Sequence, residues 1–137
     1  MSLPLPPALG ESALAKGSYN GKVVIVTGGG TGLGKAIALE FGRLGASVAI
    51  LSRKPEHLQA GVEALEAIGA TAIAVATDIR NPEQIANAFD EVTEKLGLPS
   101  ILINNAAGNF PAPAEDLSPN GWRTVVDIVL NGTFYCS

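Results

Sequence analysis

The sequence predicts an α/β fold, a doubly wound parallel sheet with helices on both faces. Three observations carry that prediction. Short apolar segments alternate four times with segments of helical period. The strands are apolar at successive positions rather than at every second one, as expected of strands covered on both sides. A glycine-rich turn, Thr27-Gly28-Gly29-Gly30-Thr31-Gly32-Leu33-Gly34, joins the first strand to the first helix. The length of 137 residues fits one domain, and 47% hydrophobic with 16% charged residues suits a buried core.

Residues 1–21, with Pro4, Pro6, Pro7 and Gly10, read as an extended N-terminal arm, and 22–137 as the folded domain. Strand one covers about 22–27. Helix one, about 33–44, has Leu33, Ile37 and Phe41 at i, i+4 and i+8, which predicts its core face. Gly45 follows where a left-handed C-cap is commonly needed. Strand two is Ser47 to Leu51. Pro55 suits a first helical turn, and Leu58, Val62, Leu65 and Ile68 stripe helix two up to Gly69. Strand three is Ala72 to Ala76. Asn81-Pro82-Glu83-Gln84 reads as an N-cap, a proline at N1 and a near capping box. Helix three then runs over 82–96 with Ile85, Phe89, Val92 and Leu96 inward. Strand four is Ser100 to Ile103. Ser118-Pro119 caps a last helix whose predicted inner face carries Trp122, Val126 and Val129.

A strand, a glycine turn and a helix start make a site for a phosphate-bearing ligand. Glycine permits the sharp positive-φ turn and keeps side chains away from the ligand, while free N–H groups and the helix dipole favour an anion. The fingerprint makes this a Rossmann-type sheet, with expected order 3-2-1-4 and a crevice between strands one and four. The end of strand two, Leu51-Ser52-Arg53-Lys54, lacks the acid that an NAD site places on the ribose 2′-hydroxyl. Arg53 and Lys54 offer a guanidinium fork and an ammonium to a 2′-phosphate instead, so the expected cofactor is NADP(H). Asp78, ending strand three, is placed either to accept from the adenine amino group or to cap the following turn. Asn104 to Phe110 ends strand four beside the glycine loop, with small residues at its centre and Asn109 and Phe110 directed to substrate.

A formal charge of −4 and a pI near 4.9 argue against a nucleic-acid surface. Cys136 is the single cysteine and His57 the single histidine, so no metal-ligand spacing arises. His57 is expected on an exposed helix face. No apolar run spans a bilayer and the first residues lack signal-peptide character, so a soluble, cytoplasmic protein is expected.

Thr27-Gly28 with Gly32-Leu33-Gly34 matches the T-G-x-x-x-G-x-G of the short-chain dehydrogenase/reductase family, and Asn104-Asn105-Ala106-Ala107-Gly108 resembles its N-N-A-G motif. Stretches 104–110, 117–120 and 127–133 look most like the 2,4-dienoyl-CoA reductase branch. The resemblance implies an NADPH-dependent reductase of 2,4-dienoyl-CoA thioesters, at work on unsaturated fatty acids in β-oxidation. It implies that Gly28, Gly30, Thr31, Gly32 and Leu33 wrap the pyrophosphate and that Arg53 and Lys54 meet the 2′-phosphate. Asp78 and Ile79 flank adenine, and Asn105 belongs to the cofactor side. Arg80, Phe110 and Ser118 are implied acyl-CoA contacts, although Ser118 is equally accounted for as an N-cap and Arg80 as a solvated residue. Asn109 is implied at the thioester carbonyl, where its amide would stabilise an enolate oxygen. Asn131 matches the family's helix asparagine, which supports a proton relay through water.

The family's chemistry also needs a Tyr-x-x-x-Lys, in which the lysine makes the tyrosine a usable acid. Tyr19 is followed at +4 by Val23 and Tyr135 lies two residues from the last, so the motif is absent from these 137 residues. The expectation is the N-terminal half of a reductase, ending before strand five, able to bind cofactor and inactive alone. It leaves strand four at an unpaired edge. The full-length protein is expected to be a homo-oligomer, because the family's fourth and fifth helices commonly pair subunits. Two alternatives remain: another short-chain reductase, acting on enoyl-CoA, 3-ketoacyl-CoA, ketone or alcohol, and a non-catalytic NADP(H)-binding module.

Overall fold

A computed structural model describes residues 8, 11–109 and 111–137. Strands β1 (Val23–Thr27), β2 (Ser47–Ser52), β3 (Ala72–Ala76) and β4 (Ile101–Ile103) form one parallel sheet in the order β3-β2-β1-β4. Helices α1 (Gly32–Arg43), α2 (Pro55–Glu66) and α3 (Pro82–Leu96) alternate with them. The doubly wound prediction and its strand order therefore stand. β1 lies at the centre, with Val24 opposite both Val48 of β2 and Ile101 of β4.

Strand alternation sorts the core into two layers. Val24, Val26, Val48 and Ile50 point to one side, where they meet Ala38 of α1 and Leu58 and Leu65 of α2. Val23, Ile25, Ala49 and Leu51 point to the other, against Ala88 and Val92 of α3. Both faces are covered, which is why β1 and β2 read as continuous apolar runs. β4 pairs only with β1 among the described residues, and all three of its residues are half-buried.

Helix α1 departs from the predicted face. Its buried residues are Gly34 and Ala38, whereas Leu33 is 72% exposed and Ile37 and Phe41 are partly covered. Small residues let the helix sit close to the sheet, and the larger ones are displaced to its flank. There Tyr19 packs edge-on against Phe41 at 4.9 Å, and its N–H donates to the Leu44 carbonyl at 3.0 Å. Gly45 takes the predicted left-handed conformation, φ +97°. Ile68 falls beyond α2 and is exposed.

Helix α3 has the predicted bounds, and Asn81 caps it by accepting from the N–H groups of Glu83 and Gln84 at 3.0 and 3.2 Å. Its capping box is not closed. The Asn81 N–H already donates to the Asp78 carbonyl, so the Gln84 amide oxygen reaches further and accepts from the Asp78 N–H at 2.9 Å.

After a short 3-10 turn at Ala114–Asp116, α4 (Pro119–Val125) continues through a π-helical segment, Val126–Asn131, into α5 (Gly132–Cys136). The predicted inner face is wrong here. Trp122 is 61% exposed and Val129 42%, while Gly121, Ile128, Gly132 and Cys136 are buried. Gly132 builds a close approach: a Cβ there would sit 2.7 Å from Ile79 Cδ1. The wider i to i+5 turn also rotates the later residues away from a simple 3.6 period. Among the described residues no helix is long and apolar enough to cross a membrane.

Candidate functional site

A cleft of about 430 Å³ opens at the carboxyl end of the sheet. Gly28, Thr31, Gly32 and Leu33 line one wall, Arg53 and Lys54 a second, Asp78 and Ile79 a third, and Asn105 the floor beside β4. These residues come from four separate turns, and parallel pairing of the strands brings them together. Thr31 is the N-cap of α1 but makes no side-chain cap hydrogen bond, and Lys54 likewise leaves α2 without a side-chain cap. The start of α1 therefore presents first-turn N–H groups that no capping side chain takes, an arrangement suited to an anion. Helix α2 offers fewer, because Pro55 has no N–H and the His57 N–H donates to the Lys54 carbonyl at 3.1 Å.

Gly30 is not part of this lining. A Cβ there would run into the His57 carbonyl, so the glycine is required by the contact between the loop and α2. His57 corrects a sequence expectation. It is half-buried and lines the cleft rather than standing on an exposed helix face. Its sequence signal was its place in the first turn of α2, three residues after Lys54. Ser52, Thr77, Ala106, Ala107 and Ile128 also line the cleft and were not singled out in advance. The first three of them immediately adjoin residues that were, and Ala107 lies two positions from Asn105.

Thr27 joins the two sides of the cleft. Its side chain is buried, and its hydroxyl donates to the Ile103 carbonyl at 3.3 Å while accepting from the N–H groups of Asn105 and Ala106 at 3.1 and 3.0 Å. The Asn105 amide returns the link, donating to the Thr27 carbonyl at 2.9 Å and reaching the Gly28 carbonyl at 3.4 Å. A Cβ on Gly28, whose φ is +68°, would come within 3.0 Å of the Asn105 amide nitrogen. A Thr27→Val variant keeps the volume and removes the hydroxyl, leaving the Ala106 N–H without its acceptor, while the Asn105 N–H keeps the Ile103 carbonyl at 3.0 Å. Such a loss costs about 1–3 kcal/mol, so the urea midpoint is expected to fall measurably. An unchanged midpoint would show that the Ala106 N–H finds another partner.

Asp78 is held from several directions. Arg80 donates to it from Nε at 2.9 Å to Oδ1 and 3.1 Å to Oδ2, from Nη2 at 2.5 Å to Oδ2, and from its backbone N–H at 3.0 Å to Oδ1. Arg53 Nη1 stands 4.0 Å from Oδ2. The Arg80 hydrogen bonds, chiefly from its side chain, hold the Asp78 carboxyl below its ordinary pKa, and the charge of Arg53 adds to this against a partial burial that works the other way.

Among the described residues, the remaining predicted ones lie apart from the cleft lining. Asn109 is exposed on the loop after β4. Asn131 ends the π-helical segment and donates its amide to Asp127 Oδ1 at 3.0 Å. Ser118 is the N-cap of α4, its Oγ accepting from the Gly121 N–H at 3.0 Å. Arg80 is folded onto Asp78, as described. Phe110 lies outside the described residues.

A doubly wound parallel sheet with a glycine turn beside its switch point defines a Rossmann-type unit. The chain belongs to the short chain dehydrogenase family, whose sequence model matches residues 22–137. It is 50% identical over 131 residues to an uncharacterized oxidoreductase of Caenorhabditis elegans, covering 94% of this chain and 42% of that protein. A probable 2,4-dienoyl-CoA reductase of the same organism, described as (3E)-enoyl-CoA-producing, is 47% identical over 129 residues, covering 93% and 42%. The crystal structure of a short chain dehydrogenase from Bacillus anthracis superposes with a TM-score of 0.82 at 48% identity, covering 87% of this chain and 48% of that one. The chain thus spans somewhat under half the length of these relatives.

Proposed function

We propose that this chain is the cofactor-binding part of an NADPH-dependent reductase acting on 2,4-dienoyl-CoA thioesters. The observation that carries the cofactor is the meeting of the glycine loop with Arg53 and Lys54 in one cleft. The residues fit a dinucleotide: the wall at Gly28, Gly32 and Gly34 presents backbone with no side chain, and the donors at the far end are cationic. The N–H groups of Thr31 to Leu33 would meet the pyrophosphate at the start of α1, with Gly28 lining the cleft beside them. Arg53 and Lys54 would hold the 2′-phosphate, with Asp78 and Ile79 flanking adenine. Asn105 supports the site by fixing the carbonyls of Thr27 and Gly28.

The dienoyl-CoA reading rests on the 47% identical relative. When bound, NADPH supplies a hydride to the far end of the conjugated diene. The Asn109 amide would donate to the thioester carbonyl as charge develops on its oxygen. The Asn131 amide would order a water for proton delivery, Arg80 and Ser118 would contact the acyl-CoA, and Phe110 would pack on it. Turnover belongs to the whole protein, because the Tyr-x-x-x-Lys that would supply the acid is not among these residues.

Calorimetry on the 137-residue chain tests the cofactor. NADPH should bind at least about tenfold more tightly than NADH, the difference expected of a charge-assisted phosphate contact. Equal affinities would overturn NADPH specificity. With the full-length protein, NADPH oxidation should be faster with a 2,4-dienoyl-CoA than with enoyl-CoA or 3-ketoacyl-CoA, and the reverse order would overturn the substrate.

A further inference from the structure

Asp78 stands between two guanidinium groups that do different work. Arg80 makes short hydrogen bonds to both of its carboxylate oxygens, whereas Arg53 approaches one oxygen only to 4.0 Å, beyond hydrogen-bond distance. Arg53 lines the cleft and Arg80 does not. The carboxylate is also fixed in place from behind, because the Asp78 N–H is held by the Gln84 amide oxygen at 2.9 Å. Its side chain is 22% exposed, against 52% for Arg53 and 41% for Arg80. A bare, partly buried carboxylate at that spot would be the nearest anion available to Arg53. A guanidinium fork binds carboxylate and phosphate with the same geometry, so the Asp78 carboxylate and a cofactor 2′-phosphate are competitors for the same donor.

We propose that Arg80 is a specificity-determining positioning residue: by occupying both oxygens of Asp78 it leaves Arg53 free to take the 2′-phosphate of NADPH. The inference rests on the NADPH reading above and deepens it. Arg80 acts through Asp78 and needs no contact with the cofactor. With Arg80 in place, Asp78 is matched by one cation, and the charges of Arg53 and Lys54 remain for the phosphate. Without Arg80, Arg53 closes the short gap to Asp78, and the 2′-phosphate must displace a carboxylate to reach it. The ribose 2′-hydroxyl of NADH makes no such demand, so its binding is insensitive to where Arg53 points. The ratio of the two affinities therefore reports Arg53 alone. Adenine, the pyrophosphate and the nicotinamide are common to both cofactors, and whatever Asp78 contributes to adenine cancels.

The experiment measures Kd for NADPH and for NADH by calorimetry on wild type, Arg80→Ala, Arg80→Gln, Asp78→Asn and the double variant Asp78→Asn with Arg80→Ala. Arg80→Ala is expected to lower the NADPH/NADH preference about fivefold, the scale of one partly exposed ion pair. Arg80→Gln, which keeps a donor and loses the charge, should lower it less. In the double variant the preference should return to that of Asp78→Asn, because no carboxylate remains to hold Arg53. A wild-type protein without NADPH preference overturns the NADPH reading and the inference with it. A wild-type preference that Arg80→Ala leaves unchanged, or a double variant whose preference differs from that of Asp78→Asn, overturns the inference alone. A purely structural role for Arg80 predicts equal weakening of both cofactors, an unchanged ratio.

Discussion

A Gly34→Ala variant is expected to lose cofactor binding by about 100-fold and to unfold at lower urea than the parent. The added Cβ would collide with the Gly28 carbonyl and with the Asn105 amide nitrogen, neither of which can turn aside. Gly28 is fixed by its N–H bond to the Leu51 carbonyl at 2.7 Å, and Asn105 by its bonds to Thr27. Relief requires the glycine loop to separate from the loop after β4, which opens the cleft where a pyrophosphate is proposed to sit. Overpacking of this kind costs about 1–3 kcal/mol, and losing the Asn105 amide bonds adds about 1 kcal/mol each. Gly32→Ala serves as the comparison. At φ +52° an added Cβ meets no protein atom within 4 Å, so its cost to folding is confined to backbone strain of about 1–2 kcal/mol. If Gly34→Ala unfolds at no lower urea than Gly32→Ala, crowding at Gly34 is not what shapes the loop.

The second large effect is expected at Arg53. Arg53→Asp replaces a cationic fork by an anion on the wall where the 2′-phosphate is proposed to lie, next to Asp78. Loss of a charge-assisted bond costs about 1.5–3 kcal/mol, and like-charge repulsion adds to it. NADPH affinity should fall about 100-fold or more, at about 1.4 kcal/mol per tenfold. NADH should bind as well as before or better, because the new carboxylate can accept from a ribose hydroxyl. Titrating both cofactors into the variant decides the matter: unchanged NADPH affinity removes Arg53 from the phosphate site.

The sheet was legible in the sequence because its strands are buried on both faces, and continuous apolar runs such as Val23-Val24-Ile25-Val26 have few other uses. Helix α3 was legible to the residue because Asn81 and Pro82 punctuate its start chemically and Ile85, Phe89, Val92 and Leu96 stripe it to its end. The inner faces of α1 and of α4 with α5 were not legible. Gly34 and Ala38 face inward in the first, and Gly121, Gly132 and Cys136 beside Ile128 in the second, so reading the largest apolar side chains as core selects the wrong side. Leu33 and Trp122 were misplaced for the same reason. The cleft residues were found where a motif sits at a strand end, as at Gly28, Arg53, Asp78 and Asn105. His57 was missed because its position depends on how the first turn of α2 lies against Gly30, a contact between segments that periodicity does not encode. The Arg80 pairing with Asp78 was equally hidden, since two charges two residues apart can meet or diverge.

The order β3-β2-β1-β4 has a kinetic consequence. β1 meets β2 across 24 residues of chain, Val24 to Val48, but meets β4 across 77, Val24 to Ile101. Closing the longer loop costs about 1 kcal/mol more in chain entropy, and pairings distant in sequence are the slow ones to form. The three strands β3, β2 and β1 can therefore assemble locally before β4 arrives. The floor of the cleft, Asn105 with its tie to Thr27, comes with that last strand. A ligand that touches both the glycine loop and Asn105 binds only the completed sheet, so it stabilises the late-forming half by an amount that grows with the logarithm of its concentration over its Kd. Refolding followed with and without such a ligand would show it slowing the opening of β4 more than it speeds the first collapse.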